Sequence, residues 1–79
     1  MSWTTKPLSA KVIKRFPRIM REQMAALIIN GQAEWRITGH NHLQIRPLGD
    51  GIPVSLSLTA ENDPTYAAKW RSFYRHWFE

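Results

Sequence analysis

The sequence predicts a small α+β domain of element order α-β-β-β-α, a three-stranded antiparallel sheet with helices on one face. Apolar residues recur at helical spacing from Lys11 to Ile29. Three short segments then alternate apolar and polar residues, and a last segment returns to helical spacing. A chain of 79 residues cannot bury both faces of such a sheet, so two amphipathic helices packed on one face are the economical arrangement. The chain reads as one domain, 1–79, with residues 1–8 expected as a flexible N-terminal arm.

Each element has its own signal. Ser9 is placed to cap the first helix. Val12, Phe16, Ile19, Met20, Met24, Leu27 and Ile28 give that helical region its apolar side. Pro17 tolerates a first turn but not a helix interior. The spacing therefore predicts either a short helix, a break and a second helix from Pro17, or one helix kinked there. Asn30-Gly31 is a helix stop. The first strand is expected at about 34–38, with Trp35 and Ile37 alternating against Glu34, Arg36 and Thr38, and Thr38-Gly39 as the turn after it. The second runs from about His40 to Pro47, with Leu43 and Ile45 inward. Leu48-Gly49-Asp50-Gly51 supplies a hairpin turn. The third is expected at about 52–59, where Ile52, Val54, Leu56 and Leu58 alternate with Ser55 and Ser57. Asn62 or Asp63 caps the last helix, with Pro64 in its first turn. Tyr66, Trp70, Phe73 and Trp77 form its apolar stripe, and Arg71 and Arg75 point away. The expected core is Trp35, Ile37, Leu43, Ile45, Val54, Leu56, Trp70 and Phe73. The opposite sheet face, with Arg36, His40, His42, Gln44, Arg46, Ser55 and Ser57, is left to solvent or to a ligand.

Composition narrows the function classes. There is no cysteine, which excludes disulfides and thiolate metal sites, so packing by four Trp, three Phe and two Tyr must hold the fold. The longest apolar run, Ala25 to Ile29, falls far short of the roughly 20 residues that span a bilayer, and no apolar run follows the N-terminus. A cytoplasmic protein without membrane contact is expected. The net charge is +5. Lys11, Lys14, Arg15, Arg18 and Arg21 all precede the first acid, Glu22. The remaining six of the eleven bases equal the six acids in number, so the whole excess lies between Lys11 and Arg21.

Two features bear on chemistry. If helix continues through the basic segment, its five cations share one stripe opposite Val12, Phe16, Ile19 and Met20. Such a stripe suits a nucleic-acid backbone. It is also what an ordinary solvated helix face looks like, but five bases with no acid among them favour the first reading. A membrane-surface helix fits less well, because its apolar side is needed for the core. The second feature is Gly39-His40-Asn41-His42-Leu43. Alternation puts His40, His42, Gln44 and Arg46 on the polar face, where a histidine near an arginine can act as a general acid or base beside a phosphate anchor. His-x-His can also give two ligands to zinc, but no third ligand is near and His76 is on another element, so no metal and no cofactor is expected. Taken alone, an exposed pair of turn histidines explains the motif equally well. No serine-histidine-acid triad, paired carboxylates or glycine-rich phosphate loop appears. The aromatic stripe of the last helix reads as core.

Taken in order, the helix, Asn30-Gly31, the Trp35 strand, Gly39-x-x-His42, the strand ending at Pro47, the glycine turn, the alternating strand and the closing helix resemble the HicA toxin family over roughly residues 21–77. The resemblance implies a fold similar to a double-stranded-RNA-binding domain, mRNA interferase activity and a HicB-like antitoxin as partner. The family's Gly-Ser-His motif is matched here by Asn41-His42, which makes His42 the catalytic candidate. His40 takes that place if Gly39-His40 is the matching pair. The expected RNA contacts are Lys11, Lys14, Arg15, Arg18 and Arg21, with Arg36, Gln44 and Arg46 on the sheet. The alternative is a non-catalytic nucleic-acid-binding regulator, or a small inhibitor of phage or mobile-element type whose basic helix grips an acidic partner.

Overall fold

The computed structural model describes residues 2–49, 51–58 and 65–79. The expected caps Asn62 and Asp63, the expected helix start at Pro64, and Asp50 of the hairpin turn lie outside them. The elements are α1 (Ala10–Ile13), α2 (Arg18–Ile29), β1 (Ala33–Ile37), β2 (His42–Pro47), β3 (Val54–Ser57) and α3 (Thr65–Phe78).

The N-terminal helical region is broken rather than kinked. Ser9 caps α1, its side chain accepting from the Val12 amide, and the helix ends after one turn. Pro17 has no amide hydrogen and its ring clashes with a helical carbonyl four residues back, so α2 starts afresh with Pro17 at its N-cap. Phe16, in the break, is buried, with its ring 5.3 Å from that of Tyr66. Helix α2 buries Met20, Met24, Leu27 and Ile28, while Ile19, expected on the apolar side, is exposed. At its end Gly31 takes a positive φ, its amide bonds Ile28, and the Gln32 amide bonds Leu27. This pair of bonds satisfies two of the helix's terminal carbonyls.

The sheet has the order β1-β2-β3, both pairs antiparallel. Trp35 faces Ile45 and Ile37 faces Leu43 across β1 and β2, and Leu43 faces Leu56 across β2 and β3. The β1–β2 connection differs from the expected Thr38-Gly39 turn. It is the three-residue loop Gly39-His40-Asn41, closed by bonds from the Asn41 amide to the Thr38 carbonyl and from the Thr38 amide to the His42 carbonyl. Asn41, not Gly39, takes the left-handed conformation, at φ 60°. The strand therefore starts at His42, and His40 belongs to the loop. The third strand is shorter than expected, and Ile52 lies exposed before it. Gly51 is required where it stands, because a Cβ there would lie 2.3 Å from the Pro47 ring.

Both long helices contribute to one core, with Met20, Met24 and Leu27 on one side and Tyr66, Trp70 and Phe73 on the other, over Ala33, Leu43, Ile45, Val54, Leu56 and Leu58. The Trp70 indole donates to Gln23 Oε1 at 2.7 Å, joining α3 to α2, and the Tyr66 hydroxyl donates to the Ser57 carbonyl, joining α3 to β3. Two expected core residues are corrected. Trp35 and Ile37 are half-buried, packed against the core cluster rather than within it. Trp77 is 37 % exposed and lies outside the core cluster, and Phe78 packs against the core instead, its ring 5.8 Å from Phe73. No helix among the described residues is long and apolar enough to cross a membrane.

The segment read as an arm carries strand-like pairing. Thr4 and Trp35 exchange two backbone hydrogen bonds of 2.9 Å, and the Trp35 indole donates to the Lys6 carbonyl at 2.7 Å. The outer edge of β1 is thereby partly covered.

Candidate nucleic-acid interface and histidine site

His42 opens β2 at the mouth of the β1–β2 loop. Its amide faces the Thr38 hydroxyl at 3.3 Å and its carbonyl takes the Thr38 amide, so its backbone is clamped to the end of β1. Its ring Nδ1 lies 3.1 Å from the His40 carbonyl oxygen. A carbonyl can only accept, so a hydrogen bond here requires the proton on Nδ1, and in the neutral ring of that tautomer Nε2 is the acceptor. Ser57 stands opposite His42 on β3, and Gln44 follows two residues along the same face. His40 is exposed and contributes its carbonyl oxygen rather than its ring.

The basic segment does not form the single stripe expected of a continuous helix. The break before Pro17 divides it: Lys11 lies in α1, Lys14 and Arg15 in the connection, Arg18 and Arg21 in α2. Arg18 pairs with Glu22 at 3.1 Å on the exposed side of α2, and Arg21 is half-buried. Lys11 and Lys14 are exposed, with no ion pair among the described residues. Arg15 is turned to another use. Its Nη1 donates to the Leu58 carbonyl at 2.6 Å, and the Leu58 amide donates to the Asn41 carbonyl at 2.9 Å. A cation from the N-terminal segment is thus tied, through one residue, to the loop that carries His40, Asn41 and His42.

The expected contacts on the sheet are present on its polar face, already engaged with neighbours. Arg36 Nε donates to Gln44 Oε1 at 2.8 Å across β1 and β2. Arg46, expected as the phosphate anchor, donates from Nε to Glu34 Oε2 at 2.6 Å, with both side chains largely covered. Both guanidinium groups lie against the ring of Trp3, at 4.5 Å for Arg36 and 4.2 Å for Arg46. Trp3 and Glu34 complete this cluster and are not among the residues the sequence points to as a site. The signal for Glu34 was available, since it alternates with Arg36 on one strand and faces Arg46 by simple antiparallel register. Trp3 carried none beyond being a lone aromatic in a polar segment.

No three or more His, Asp or Glu side chains among the described residues are grouped as metal ligands. Comparison with protein-family models, with curated proteins and with solved structures finds no match.

Proposed function

We propose that this chain binds RNA in the cytoplasm and cleaves it as a HicA-like mRNA interferase on a scaffold like that of a double-stranded-RNA-binding domain. The observation that carries this reading is the His42 ring on the polar face of the sheet, its Nδ1 against the His40 carbonyl, an arrangement in which the neutral ring has Nε2 as its proton acceptor. Cleavage would proceed by attack of the ribose 2′-hydroxyl on the adjacent phosphate. Nε2 takes the hydroxyl proton, the P–O5′ bond breaks, and the leaving oxygen is protonated by the imidazolium or by water. The products are a 2′,3′-cyclic phosphate and a 5′-hydroxyl. Arg15, held at the Leu58 carbonyl one residue away from the β1–β2 loop, supplies positive charge toward the phosphate better than Arg46, whose charge is offset by Glu34.

Expression in cells tests the reading, wild type beside His42→Ala. Growth arrest by the wild type, relieved by the substitution and by a HicB-like antitoxin, is the expected result. Harmless expression of both proteins, with no cleavage of RNA in vitro, would reject the catalytic assignment. RNA binding that persists in that case would mark a non-catalytic regulator.

A further inference from the structure

The polar face of the sheet holds a flat site that the cleavage scheme does not use. Arg36 faces Gln44 and Arg46 faces Glu34, so the two arginines are diagonal neighbours on β1 and β2. Each guanidinium is fixed by a hydrogen bond from Nε to its cross-strand neighbour. A guanidinium held in this way is a planar, weakly hydrated cation suited to stacking on π systems. Both lie within 4.5 Å of the centre of one ring, Trp3, which the chain itself provides. The segment that carries Trp3 is held to β1 by one bridged residue, Thr4, and by the bond from the Trp35 indole to Lys6. An aromatic ring thus rests on two prepared arginines at the end of a short tether.

We propose that the Arg36–Arg46 pair is a stacking site for an unpaired nucleobase of RNA, with Trp3 as the internal occupant that the base displaces. This rests on the RNA reading above and adds the substrate class, single-stranded RNA. Unpaired bases offer free faces to arginine planes and aromatic rings, whereas bases within a duplex do not. Glu34 makes Arg46 a poor phosphate ligand but leaves its flat surface usable for a ring. The site also lies suitably near the histidine. Gln44 is two residues from His42, and Arg36 faces Gln44, so the shelf begins about 7 Å along the sheet from His42. A base stacked there belongs to a nucleotide beside the phosphodiester that His42 meets. The strap lowers apparent affinity by the fraction of molecules in which it is closed.

The test is binding of an end-labelled single-stranded RNA, and of a duplex of equal length, to wild type, Trp3→Ala and Trp3→Ala with Arg36→Lys. Trp3→Ala should tighten single-strand binding roughly fivefold or more, the equivalent of two part-exposed cation–π contacts. Duplex binding should stay unchanged. Adding Arg36→Lys, which keeps the charge but loses the plane, should remove the gain. Weaker binding by Trp3→Ala overturns the strap, because Trp3 is then itself the contact, and unchanged single-strand binding overturns it as well. If Trp3→Ala melts early, Trp3→Leu, which keeps an apolar cover without a π face, takes its place. If no variant binds RNA, adenosine monophosphate is titrated into the Trp3 variant and followed by NMR at the Arg36 and Arg46 Nε–H signals. Saturable shifts there keep the stacking site and reject the RNA reading, while absent shifts reject the site.

Discussion

His42 is set by three local bonds, two with Thr38 at the end of β1 and one with the His40 carbonyl in the loop between them. Thr38 clamps its backbone, the His40 carbonyl fixes its ring, and Asn41 provides the left-handed turn that makes both contacts reachable. A positioned general base contributes roughly 10²–10⁴ in rate, so His42→Ala should lower RNA cleavage by about that factor. Thermal unfolding should hardly move, since the side chain is part-exposed and polar. His40→Ala should cleave almost normally, because His40 acts through its backbone oxygen. Equal loss in the two single variants would reassign the base. Asn41 gives a separate test of the loop. A β-branched residue at φ 60° is strained, so Asn41→Val should cost about 1–2 kcal/mol in denaturant unfolding, whereas Asn41→Gly should cost little.

At the scale of elements, breaks and stops matter more than helix propensity. Pro17 divides the basic segment, and that division frees Arg15 to leave the helix direction and reach Leu58. A continuous helix would have held Arg15 on the stripe with Lys11 and Arg18. The end of α2 is equally determined by one residue. Gly31 takes φ 69° and its amide and the next close the helix, which then turns directly into β1. Gly31→Ala should therefore destabilise the fold by about 1 kcal/mol without changing RNA affinity, a separation that urea unfolding and binding titrations can read together. Gly51→Ala should cost more, because its Cβ meets the Pro47 ring rather than open space, and the β2–β3 connection must shift to admit it. Loss of stability in Gly31→Ala larger than in Gly51→Ala would contradict this account.

At the scale of the molecule, the +5 charge is the long-range term. Within the basic segment, Arg18 is paired with Glu22 and Arg21 is half-buried, which leaves Lys11, Lys14 and Arg15 as its exposed cations outside an ion pair. RNA affinity should fall steeply with salt. Converting Lys14 to Gln should reduce the slope of log K against log salt by about 0.7–0.9, the value of one phosphate contact. Arg46→Gln should change that slope much less, because its charge is already opposed. Slopes that fall equally in both variants would show that the ion pair with Glu34 opens on binding.

The sequence by itself determined the order of elements, the inward residues of β2 and β3, the stop at Asn30-Gly31 and an interruption at Pro17, which the structure resolves as a break rather than a kink. These follow from local rules: period 2 for a half-buried strand, period 3.6 for a helix, the φ freedom of glycine, and the missing amide of proline. Only the tertiary structure decided the long-range contacts of Arg15 and Arg36. Arg15 lies 43 residues from Leu58, Trp3 lies 33 residues from Arg36, and no local periodicity encodes such pairings. The half-burial of Trp35 and Ile37 is likewise a property of the packed fold, since alternation alone places them on the same face as the fully buried Ala33. Burial and long-range contacts are set by what the folded chain brings alongside, and that is why the polar residues of the site were legible as a list but distant partners such as Trp3 and Leu58 were not.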